Sequence, residues 1–186
     1  DIDADTGDIV GSVLYAKSGS ADVLVGDQFD GSTVETDGAI TLDATWINNS
    51  TFVSESGAVD IEATAGDIAG GSATSKTDAV SAVAALNIVG LAVDAAATST
   101  VAATGGSVVG GESLSGGAAD IDAGAHIDGL VVEASSATLD AVNILNGGVT
   151  AVSGGVAANA GGYIANQDIN AATTADLDAV LDVTGS

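Results

Sequence analysis

GDIVG at residues 7–11 and GDIAG at 66–70 are near-copies of one pentapeptide, and looser versions recur as LNIVG (86–90), GSVVG (106–110) and AHIDG (125–129). Each sets a β-branched residue two positions before a glycine. Followed through the chain, the aliphatic or aromatic member is Ile9, Phe29, Ile47, Ile68, Ile88, Val108, Ile127, Ile144, Ile164 and Val183. Two residues later come Gly11, Gly31, Asn49, Gly70, Gly90, Gly110, Gly129, Asn146, Asn166 and Gly185. Glycine and asparagine enter the left-handed backbone region at the lowest cost. The pattern therefore reads as an inward-facing residue followed by a corner.

A second pattern, polar–aliphatic–polar–small, precedes each corner. It appears as DIDA (1–4), DVLV (22–25), TLDA (41–44), DIEA (60–63), SAVA (81–84), TVAA (100–103), DIDA (120–123), TLDA (138–141), AANA (157–160) and DLDA (176–179), spaced by 18 to 21 residues. After the corner follow a third aliphatic column (Leu14, Val34, Phe52, Ala73, Val93, Val132, Val149, Ile169) and a column of Ala, Ser or Thr two residues further on. The sixth copy departs, with Ser113 in the column and Leu114 beside it, and Gly111 suggests a shift of register by one. Alternation with period two in three short runs per copy predicts three strands, not a helix. Repeats of this length that turn through three strands predict an all-β fold. The chain reads as one domain over residues 1–186: a single-stranded parallel β-helix, or β-solenoid, of about ten coils with no evident caps. At about 4.8 Å per coil it would be a rod about 45 Å long.

Composition agrees. Of the residues 46% are apolar but only 3% aromatic, so the core must be thin and built from small side chains. Proline is absent, which suits unbroken ladders, and cysteine is absent, which excludes disulfides and thiolate chemistry. The formal charge is −24, from 26 acids against Lys17 and Lys76. Such a surface repels nucleic acid and anionic membranes. The uncharged run from Ala79 to Val93 is too short and too interrupted to span a bilayer and fits the repeat instead.

Coil length and Gly/Asn corners resemble the parallel β-helix repeats of filamentous-haemagglutinin-like adhesins and autotransporter passengers. The resemblance covers the whole chain and rests on repeat shape. It implies a right-handed coil, a bacterial or archaeal protein at the cell surface or outside the cell, and a structural or adhesive role.

Chemistry of other kinds finds little footing. Some β-helix proteins act on polysaccharides, but there is no arginine and the two lysines lie three coils apart in turns. No carboxylate pair is singled out for glycoside hydrolysis, and the chain is read as not an enzyme. His126, the single histidine, precedes inward Ile127 and should face solvent. More interesting are the outward acids of the first strand. Asp1 and Asp3, Asp60 and Glu62, Asp120 and Asp122, and Asp176 and Asp178 share a face at i, i+2, and stacking should bring Asp43 beside Glu62 and Asp122 beside Asp140. Two charges about 4.8 Å apart repel by about 0.9 kcal/mol even in water. Ca²⁺ would relieve such clusters, so Asp43, Asp60, Glu62, Asp120, Asp122 and Asp140 are the candidate cation ligands. The alternative is a solvated acidic face, with no cofactor required. The calcium-binding GGxGxD repeat is not present, and threonines such as TST (98–100) form no column suited to ice.

Neither end shows an amphipathic segment suited to covering the terminal rungs, from Asp1 to Ser186. The partner expected from this is a second copy of the chain, joined head to tail through terminal coils. The functional expectation is a filament subunit or the shaft of a surface adhesin. A glycan- or ice-binding face is the second reading.

Overall fold

A computed structural model describes residues 2–4 and 7–185. Asp1, the side chain of Asp3, and Ser186, all named above, lie outside the described residues. Twenty-seven β-strands and no helix make up the described chain. Among these residues no helix is long and apolar enough to cross a membrane.

One coil illustrates the rest. Val59–Ala63, Ile68–Ala69 and Ser72–Ser75 are its three strands. Each pairs in parallel with its equivalent one coil before and one coil after. The first and second faces form one 18-stranded sheet, because Ala21–Asp30 and Ile40–Asn48 run through the corner between them. The third face is a separate sheet of 9 strands. The result is a parallel β-solenoid of about nine turns.

Register follows the sequence columns. Leu42 stacks on Ile61, Ile61 on Ala82, and Ala82 on Val101. Ile47 stacks on Ile68 and Ile68 on Ile88. Because side chains alternate across a strand, every second residue enters the core. Val59, Ile61 and Ala63 are buried while Asp60 and Glu62 face outward. The core so formed runs without interruption from Val23 to Ile164. Its two large rings, Phe29 and Phe52, stack on each other at 5.6 Å between centroids.

All ten corner residues have positive φ, from 46° at Asn49 to 70° at Gly129. Glycine and asparagine are there for the backbone conformation, as the sequence implies. Gly111 has a different role from the one expected. Ser113 pairs with Val93 and with Val132, so no register shift occurs. Gly111 has φ 85°, and a Cβ there would lie 2.4 Å from the carbonyl oxygen of Leu91. It lets two coils approach closely. Ser113 stays in the core column by bonding Ser99, Oγ to Oγ at 2.9 Å, with both side chains buried. Other buried hydroxyls are satisfied similarly: Ser75 Oγ donates to the Gly57 carbonyl at 2.7 Å, and Ser54 Oγ to the Gly38 carbonyl at 2.7 Å.

Gly31 provides a clean test of the corner, since a Cβ there would meet nothing within 4 Å while φ is 56°. Gly31→Val is expected to cost about 1–2 kcal/mol of stability through backbone strain alone, and Gly31→Asn distinctly less. Urea denaturation followed by circular dichroism checks this; equal losses would remove the conformational explanation.

Candidate functional site

The six candidate acids fall on the outer surface of the first face in two parallel columns. Asp43 stacks directly on Glu62, and Asp122 on Asp140. Asp60 lies in the neighbouring column between Thr41 and Ser81, and Asp120 between Thr100 and Thr138. The structure thus brings together two stacked pairs and separates them, since Val83 and Ala102 stand between Glu62 and Asp122. Among the described residues no group of three or more His, Cys, Asp or Glu side chains is arranged to hold a metal ion.

Asp122 is the electrostatic focus of this face. Partial burial pushes its carboxyl above the ordinary aspartate range, and the charges of Asp120 and Asp140 push it further in the same direction. It borders an open groove of about 740 Å³ that follows the corner across several coils. The buried Ala103, Ala123 and Ala160 line this groove with Asp140 and Asn159.

A further device lies on the second face. From Asp67 to Asn143 the residue before the inward aliphatic accepts a hydrogen bond from the next coil. Asp67 Oδ1 accepts from the Asn87 backbone N–H at 2.8 Å and from Asn87 Nδ2 at 2.9 Å. Asn87 Oδ1 then accepts from the Ser107 N–H at 2.9 Å, and Ser107 Oγ from the His126 N–H at 3.3 Å. Asn143 Nδ2 donates to His126 Nδ1 at 3.0 Å, and Asn143 Oδ1 accepts from the Tyr163 N–H at 2.9 Å. His126 is exposed, as expected from its place before Ile127, and belongs to this ladder. The ladder was not read from the sequence, because Asp, Asn, Ser and His share an acceptor atom rather than an identity. The usable signal was the recurrence of short polar side chains at one fixed position.

Compared with protein-family models, curated proteins and solved structures, the chain matches none.

A carboxyl whose folded-state pKa is raised adds stability below its unfolded pKa and loses it as pH rises through the folded value. At neutral pH Asp122 is therefore a liability of the fold. Asp122→Asn is expected to raise the melting temperature at pH 7, with the gain shrinking as pH falls through the carboxylate range. Thermal melts at several pH values check it; a gain that grows toward acid would reverse the sign of the argument.

Proposed function

We propose that this chain is an extracellular structural solenoid of a bacterium or archaeon, acting as the shaft of a surface adhesin or the subunit of a stacked filament. The supporting observation is the core of in-register aliphatic columns running without a break along the described coils. A body built this way resists bending, because each rung is bonded along its length to the next. The repeat shape shared with filamentous-haemagglutinin-like proteins supports the same reading. The acidic coat, with net charge −24, keeps rods apart sideways.

Strands Val13–Ala16 and Asp168–Ala171 are the edges of the third sheet among the described residues. An edge strand offers unpaired N–H and C=O groups that template further pairing. A continuing coil of the same solenoid, or a second copy, would extend the ladder in register. Stacking brings acids of the two bodies close, so association should strengthen with salt as the Debye length falls from about 30 Å at 0.01 M to about 3 Å at 1 M. Ca²⁺ enters the proposal as a counter-ion for the Asp43–Glu62 and Asp122–Asp140 stacks.

Negative-stain electron microscopy at low salt, at high salt, and with Ca²⁺ with and without chelator tests the reading. The expected particles are thin rods of uniform width about 45 Å long, or end-to-end multiples favoured by salt. Filaments would select the stacked subunit, and single rods under every condition would select the shaft. Compact particles without a long axis would overturn both.

A further inference from the structure

The two lysines, three coils apart in sequence, meet on one surface. Strands Val13–Ala16, Thr33–Thr36, Thr51–Ser54 and Ser72–Ser75 stack in register. The ladder continues one residue beyond them. The N–H of Asp37 donates to the Ala16 carbonyl at 3.2 Å, that of Glu55 to Thr36 at 3.0 Å, and that of Lys76 to Ser54 at 3.0 Å. Lys17, Asp37, Glu55 and Lys76 therefore form one column, with the chain's two cations bracketing two carboxylates. Lys76 Nζ is held by Glu55 Oε1 at 2.5 Å, the sole ion pair among the described residues. Lys17 keeps its ammonium free of any described carboxylate at that range.

Tyr15 stands beside this column, 67% exposed, with Glu35 stacked next to it. Tyr15, Lys17, Glu35, Asp37, Glu55 and Lys76 line one pocket of about 300 Å³. No other surface of this acidic molecule combines a cation with an exposed ring and carboxylates among the described residues. That size is at the lower end of small-molecule sites. We propose that the pocket binds a neutral pyranose unit of a glycan.

The chemistry of each wall points there. A phenol ring offers a flat apolar face with a polar rim, which suits the C–H face of a sugar ring. Carboxylates accept from hydroxyl groups in charge-assisted hydrogen bonds. A lysine ammonium has three donors and no acceptor, which suits hydroxyl and ring oxygens. A uronate or phosphate fits poorly, because three carboxylates share the pocket and Lys76 is already engaged by Glu55. A simple cation fits poorly because two ammonium groups flank the carboxylates. The inference is independent of whether the solenoid stacks end to end.

Saturation-transfer-difference NMR on the full chain tests it, using the methyl glycosides of glucose, galactose, mannose and N-acetylglucosamine as probes and sodium glucuronate as the charged probe. Transfer to at least one neutral glycoside is expected at millimolar concentration. Tyr15→Ala should weaken it by about tenfold or more. Lys17→Gln and Glu35→Gln, both on the outer surface, should weaken it several-fold and guard against a folding defect in the first variant. Tyr163→Ala, another exposed tyrosine far along the rod, should leave it unchanged. Absence of transfer to every neutral glycoside at tens of millimolar would overturn the proposal. So would transfer that survives both Tyr15→Ala and Lys17→Gln, or a preference for glucuronate.

Discussion

Backbone hydrogen bonds from each coil to the next set the position of every side chain in this molecule. They hold adjacent rungs at about 4.8 Å, so a residue always lies against its counterpart one repeat away. Inside, that forces columns: isoleucine on isoleucine at Ile47, Ile68 and Ile88, and alanine on alanine at Ala44, Ala63 and Ala84. Outside, it forces like charges together at Asp43 and Glu62. The magnitudes say which wins. A stacked pair of charges costs about 0.9 kcal/mol in water, whereas one net hydrogen bond contributes about 1 kcal/mol. The strand Val59–Ala63 alone pairs five residues with the next coil, besides burying three of them. Repulsion is tolerated because the ladder outweighs it.

The same constraint decides what could be read from the sequence. The corners were legible because only Gly and Asn occur there and all ten take positive φ. The aliphatic columns were legible because alternation has one meaning in a strand. Ser113 was harder. A serine at a core position suggests a slip, and only the partner Ser99, in the first strand of the same coil, explains why it stays. The ladder from Asp67 to Tyr163 depends on which acceptor atom reaches the next coil, a geometric matter that residue names do not carry. Lys17 and Lys76 looked remote because distance along this chain is misleading. Fifty-nine residues amount to three rungs, and Asp37 and Glu55 occupy the same column on the two rungs between.

Inward positions are thus nearly interchangeable from coil to coil, whereas outward positions are free to differ. Tyr15 and Glu35 are neighbours on the third face without disturbing Leu14 and Val34 beneath them. An open groove runs past Asp122, Asp140 and Asn159, and the core beneath it continues unbroken. The scaffold can therefore vary its surface locally at little cost to its stability, because each coil touches mainly its two neighbours.

The acidic coat has one more consequence when measured per unit length. A net charge of −24 spread along a rod of about 45 Å amounts to roughly one charge every 2 Å. Duplex DNA carries one per about 1.7 Å and gathers a condensed layer of counterions for that reason. This solenoid reaches the same regime with carboxylates in place of phosphates. By that measure the solenoid is a polyelectrolyte, and its carboxylates are expected to gather counterions along the rod as phosphates do on DNA.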